Sequence, residues 1–144
     1  MKRTLTVLTM LLVSVTIFAS KIVTKDIKQL PTQSQNFITT YFGNLNVQKI
    51  EIEKNLLGIK DYEVKFTNGY EIKFDKKGEW TKVDCKRNPI PGALVPQKIK
   101  DHIKIEFKGD HITEIKKKKG GFEVELQNDI TLIFNSKGEF KKYD

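Results

Sequence analysis

Residues 62–84 read YEVKFTNGYEIKFDKKGEWTKVD, and residues 122–144 read FEVELQNDITLIFNSKGEFKKYD. The two stretches align without a gap. Glu63, Val64, Asn68, Phe74, Lys77, Gly78, Glu79, Lys82 and Asp84 all return unchanged sixty positions later. An internal duplication therefore organises the chain. In the first copy Tyr62, Val64 and Phe66 alternate with Glu63, Lys65 and Thr67, and Tyr70, Ile72 and Phe74 alternate with Glu71, Lys73 and Asp75. Period-two alternation of apolar and charged side chains predicts half-buried antiparallel strands.

The loop between these strands follows from burial. A two-residue Asn68-Gly69 turn would set Phe66 opposite Glu71, mixing the faces. A three-residue Thr67-Asn68-Gly69 loop sets Phe66 opposite Tyr70 and Val64 opposite Ile72, with Gly69 in the left-handed position. The same device, Lys76-Lys77-Gly78, sets Trp80 opposite Phe74, and Ser136-Lys137-Gly138 sets Phe140 opposite Phe134. Gly78 and Gly138 read as turn glycines, not as a phosphate loop.

Upstream, Val47, Ile50 and Ile52 match Ile112 and Ile115, which predicts one further strand per copy, from about Asn46 and about His111. Before each of these lies a helical pattern. Residues 31–42 carry Phe37, Ile38, Tyr41 and Phe42, and residues 96–107 carry Ile99, Ile103 and Phe107. Pro31 and Pro96 suit a first helical turn, where a missing N–H costs nothing. Each copy thus reads as a helix followed by a four-stranded antiparallel meander. The connector, with Pro89, Pro91 and Gly92, reads as an extended link.

Met1, Lys2 and Arg3 precede an uncharged apolar run over residues 5–18, followed by the small residues Ala19 and Ser20. This is the pattern of a secretory signal, and the run is shorter than the roughly 20 residues a membrane span needs. Without residues 1–20 the charge falls from +8 to +6, since Lys2 and Arg3 go with them. That charge is spread over both copies, unlike the focused basic face of a nucleic-acid binder. Cys85 is the only cysteine, so no internal disulfide forms and stability must come from packing. A copy of about 60 residues buries too little surface alone, and two copies sharing one core are expected. The expected divisions are a signal peptide (1–20), an N-terminal arm (21–29), a first repeat (30–87), a connector (88–93) and a second repeat (94–144).

The signal, the two tandem units, the hairpins of residues 62–80 and 122–140 and the IPGALVP segment of residues 90–96 together resemble the PepSY-like, beta-lactamase-inhibitor-like family of small exported bacterial proteins. The resemblance covers nearly all of the chain after residue 29. It implies an α+β fold in which two helix-plus-four-strand repeats make a curved antiparallel sheet backed by helices. It also implies binding or inhibition and no catalysis.

Expected outward positions are Glu63, Lys65, Glu71, Lys73, Thr81 and Val83 in the first copy, and Glu123, Glu125, Thr131, Ile133, Lys141 and Tyr143 in the second. Within this charged lattice Thr131, Ile133 and Tyr143 form the candidate binding patch, with Thr131 opposite Tyr143 and Ile133 opposite Lys141; a compact apolar spot in a charged surround is how hot spots look. His102 and His111, with Asp101, Glu106 and Asp110 nearby, do not make a metal site. Aligning Pro96 on Pro31 puts His102 at the core-facing place of Phe37, and His111 starts a strand. Cys85 reads as a packed or free thiol. Residues 116–119, four consecutive lysines, read as a solvated hairpin tip protecting a strand edge.

The reading is therefore an exported, non-enzymatic binding protein, periplasmic or secreted, with no catalytic residues, metal or cofactor. Its expected partner is another envelope or secreted protein, met through the sheet face, which it inhibits or modulates; no nucleic acid and no stable membrane span are expected. The alternative is a carrier or sensor of a small or anionic envelope ligand, held between helix and sheet.

Overall fold

A computed structural model describes residues 19–144. The signal-peptide reading falls mostly on residues 1–18, which lie outside the described residues. Two helices and nine strands alternate as β1 (Ser20–Thr24), α1 (Thr32–Phe42), β2 (Val47–Asn55), β3 (Gly58–Phe66), β4 (Glu71–Asp75), β5 (Trp80–Asp84), α2 (Gln97–Glu106), β6 (Ile112–Lys118), β7 (Gly121–Leu126), β8 (Thr131–Asn135) and β9 (Phe140–Tyr143). All nine strands form one open, curved antiparallel sheet in chain order. Residues 21–29, expected as an arm, hold most of β1, which lies along β2 with Ile22 opposite Ile52. Its weak alternation, with both Ile22 and Val23 exposed, hid this strand in the sequence.

The hairpin registers follow the burial argument. Val64 faces Ile72 and Val124 faces Leu132. The Phe66 N–H donates to the Tyr70 carbonyl at 2.9 Å, and Gly69 has φ +91°. In the second half Asp129 takes this left-handed place, at φ +67°. The next hairpins set Trp80 opposite Phe74 and Phe140 opposite Phe134, with the expected glycines at the turns.

Both helices lie on one face. Phe37 meets Phe74 edge-on at 5.6 Å and Phe42 packs on Phe66 at 5.8 Å. His102 meets Phe134 edge-on at 5.5 Å. Pro31 and Pro96 precede the helices as their N-caps, one position earlier than expected, with ψ near the extended value in both. Ser34, fully buried, donates from Oγ to the Gly78 carbonyl at 2.9 Å and so ties α1 to the β4–β5 turn. A Cβ at Gly78 would come within 2.7 Å of Pro31 as well as adopting φ +91°, so this turn is reserved for glycine twice over.

The buried side chains form one core that runs through both halves, with Ile50, Val64, Phe66, Ile72, Val83, Ile99, Ile115, Val124, Leu126 and Leu132 fully excluded from solvent. The halves join where β5 meets β6, with Lys82 opposite Lys116, Val83 opposite Ile115 and Asp84 opposite Glu114.

Candidate functional site

The face opposite the helices carries none of the main chain's other elements among the described residues, and its side chains form a lattice of carboxylates shared between lysines. Glu51 binds Lys21 at 2.8 Å and Lys49 at 2.7 Å. Hydrogen bonds from those two ammonium groups hold its carboxyl down at about 2. Glu63 lies between Lys65 and Lys73, at 2.8 and 3.0 Å. At the seam Glu114 reaches Lys82 at 3.0 Å and Lys116 at 2.7 Å, and Lys116 also meets Glu123 at 2.7 Å. Burial works against the Lys116 charge, but its bonds to Glu114 and Glu123 raise its pKa above the ordinary lysine value.

Glu125 is the exception. It faces Glu114 across the β6–β7 ladder and makes no ion pair among the described residues. Burial, with the charges of Glu114 and Asp129, raises its pKa. Sequence reasoning placed Glu125 on this face without singling it out. Alternation places Glu125 on this face but not its neighbour, because a bulge between Ile112 and Glu114 sets the β6–β7 register.

Of the candidate patch, Thr131 lies opposite Glu125 and Ile133 opposite Glu123, half-exposed on the open face. Tyr143 is elsewhere. A β-bulge between Ile133 and Phe134 in the β8–β9 ladder sets Ile133 opposite Lys142 and Tyr143 opposite Leu132. The expected pairs of Thr131 with Tyr143 and Ile133 with Lys141 are therefore displaced by one residue. Because one extra residue reverses every later side chain, Tyr143 comes to the helix side, 5.1 Å from the Phe140 ring. The first half has the same bulge between Lys73 and Phe74, and Val83, expected outward, is fully buried opposite Ile72. The three-residue spacing of Trp80 to Val83, where strict alternation has two, carried this signal.

His102 and His111 are apart in role and place. His102 stacks on Phe140 at 4.9 Å and is half-buried, while His111 Nε2 lies 2.9 Å from the Arg87 carbonyl oxygen. No group of three or more His, Cys, Asp or Glu side chains placed to hold a metal occurs among the described residues. Cys85 is a buried free thiol, pushed up to about 12 by burial and by the neighbouring Asp84 charge, so it offers no thiolate at neutral pH. The lysine run differs from expectation. Lys116, Lys117 and Lys118 belong to β6, and only Lys119 with Gly120 forms the turn. Lys117 lies on the helix side with its ammonium 4.1 Å from the Trp80 ring centre.

These features define an α+β protein with one open antiparallel sheet and a charged, ion-paired face. Residues 18–65 and 60–142 each match the family described as "putative beta-lactamase-inhibitor-like, PepSY-like", and the chain belongs to that family. Its fold is shared by solved structures of relatives. A periplasmic protein of Bacteroides vulgatus ATCC 8482, described as "putative" and "of unknown function", is 33% identical, with a TM-score of 0.82 over 87% of this chain and 99% of that one. A second protein of the same organism, described as a "putative periplasmic protein", is 32% identical, with a TM-score of 0.79 over 86% of this chain and 96% of that one. A "putative calcium-regulated periplasmic protein" of Bacteroides thetaiotaomicron gives the same 32%, 0.79, 86% and 96%. No curated protein matches the chain. No helix among the described residues is long and apolar enough to cross a membrane.

Proposed function

We propose that the chain is an exported, non-enzymatic binding protein built from two copies of one helix-plus-four-strand unit, and that it engages another envelope protein through its open sheet face. The observation that carries this reading is the face of a nine-stranded sheet that no helix covers among the described residues, while its other face holds both helices and the shared core. Its ion-paired lattice is ordered before any partner arrives, which lowers the entropy lost on association. Family membership and the periplasmic description of the relatives support export and a role without catalysis.

The contact centres on Ile133 and Thr131, with Glu125 beside them as the carboxylate that lacks a lysine. A partner presenting an apolar side chain next to an Arg or Lys matches this spot. Truncating a central interface residue commonly costs more than about 1 kcal/mol, or roughly fivefold in affinity. In cross-linked capture from envelope extract, Ile133→Ala and Glu125→Ala are expected to reduce the captured partner by at least that factor, while Tyr143→Ala, on the opposite face, leaves it unchanged. Loss of capture with Tyr143→Ala alone would move the interface to the helix side and sink the sheet-face reading.

A further inference from the structure

The two halves frame the same corner with different fillings. In the first, a 3-10 turn (Ile27–Gln29), Leu30 and Pro31 lead into α1; in the second, a 3-10 turn (Gly92–Leu94), Val95 and Pro96 lead into α2. A shift of 65 residues relates them position by position. In the first half Ile27 and Leu45, both partly buried, pack against the core at this corner. Their counterparts are Gly92 and Asp110. A Cβ built on Gly92 would meet nothing within 4 Å.

The result is a cleft of about 520 Å³ walled by Ile90, Val95, Ile103, Phe107 and Ile112. This is a usual volume for a small-molecule site. Its rim has changed in parallel. Gln35 and Thr39 of the first half are neutral and internally satisfied: Gln35 Nε2 donates to the Leu30 carbonyl at 2.9 Å, and Thr39 Oγ1 donates to the Gln35 carbonyl at 3.0 Å. With Gly43 they correspond to Lys100, Lys104 and Lys108, which line the cleft. Four-residue spacing places the first two on one flank of α2, and Lys108 continues the row just beyond its end. None of the three makes an ion pair among the described residues, although Lys98 on the same helix reaches Glu139 at 3.3 Å. The one carboxylate in the wall, Asp110, accepts the backbone N–H of His111 at 2.8 Å.

An emptied apolar corner gains nothing for the fold, because the first half shows that the same backbone accepts a plug. Three unpaired cations around it add repulsion. Both costs are removed by a ligand with a hydrocarbon body and a negative end. We propose that this cleft binds a single-chain anionic amphiphile, its acyl chain against Ile90, Val95, Ile103 and Ile112 and its headgroup among Lys100, Lys104 and Lys108. Four aliphatic walls beside Phe107 suit an unbranched chain. The lysines are point charges that serve a carboxylate or a phosphate equally. The site is separate from the open sheet face and does not depend on it.

Calorimetric titration of the purified protein, stripped of lipid on an apolar resin, tests this with dodecanoate below its micelle concentration. Dodecyl phosphate, dodecyltrimethylammonium and acetate serve as the comparison probes. Dodecanoate or dodecyl phosphate is expected to bind one to one, the tighter of the two identifying the headgroup. Dodecyltrimethylammonium should bind at least tenfold more weakly, and acetate should give no heat. Gly92→Ile, which restores the plug of the first half, should reduce binding at least tenfold without lowering Tm. The double variant Lys100→Gln, Lys104→Thr should weaken binding severalfold and flatten its salt dependence. Failure of both anionic probes to bind, equal affinity for the cationic probe, or wild-type affinity in a folded Gly92→Ile protein would each overturn the proposal. Should Gly92→Ile fail to fold, the lysine variant and the charge-reversed probe still decide it.

Discussion

His102 holds in the second half the place that Phe37 holds in the first. Phe37 meets Phe74 at 5.6 Å and 86°, and His102 meets Phe134 at 5.5 Å and 84°. Phe37 lies 6.3 Å from Trp80, and His102 lies 4.9 Å from Phe140, nearly parallel at 12°. The imidazole thus serves as an aromatic filler, but it brings a ring nitrogen that the phenyl lacks. Nε2 is buried without a hydrogen-bond partner among the described residues. A buried polar atom left unsatisfied costs about 1 to 3 kcal/mol. His102→Phe is therefore expected to raise Tm by a few degrees. A lowered or unchanged Tm would mean that the nitrogen is satisfied in solution. The core-facing place of His102 was legible from the repeat alignment, because Phe37 marks the position. The stranded nitrogen was not, because it depends on what happens to surround the ring.

Among the elements, the strands were legible where alternation was strict and misread where it slipped. Val64, Ile72, Val124 and Leu132 obey period two, and their registers follow from the loop lengths. Val83 and Tyr143 come after a bulge that strict alternation skips and that only the apolar spacing from Trp80 to Val83 marks, so both lie on the helix side and not on the open face. Pairing also creates a liability on β7. Like charges directly opposite in a ladder are destabilising, and Glu125 faces Glu114, whose own charge is already engaged by Lys82 and Lys116. The first half sets Lys49 opposite Lys65, but there Glu51 and Glu63 compensate both. Burial and the acidic neighbours raise the Glu125 pKa above its ordinary 4.5 in the folded protein. A carboxyl with a raised folded pKa binds its proton more tightly when folded, so its ionisation costs stability at pH 7 and the cost disappears below the ordinary value. Glu125→Gln should accordingly raise Tm at pH 7, and the gain should shrink to nothing as the pH falls below about 4. A gain that stays constant with pH would trace to packing instead.

Across the whole molecule, two units of about 60 residues are each too small to bury much surface alone, and they join through three paired positions between β5 and β6, the Cys85 N–H donating to the Thr113 carbonyl and Lys117 over Trp80. Val83 and Ile115 at that seam are both fully buried, and they belong to the same core as Phe66 in one half and Leu126 in the other. The expectation is one cooperative unit. Trp80, the only tryptophan, packs in the first half with Lys117 of the second over its ring, whereas far-ultraviolet circular dichroism reports on both halves. Leu126→Ala removes a fully buried side chain from the second half, a change that typically costs about 2 to 5 kcal/mol. If the halves share one transition, this distant substitution lowers the urea midpoint seen by Trp80 fluorescence as far as the midpoint seen by circular dichroism. Phe66→Ala, at the matching point of the first half, should do the same to both signals. A fluorescence midpoint that ignores Leu126→Ala while the dichroism curve broadens or splits would show two independently folding repeats. The seam would then be a docking contact, and the shared core would add nothing to the stability of either half.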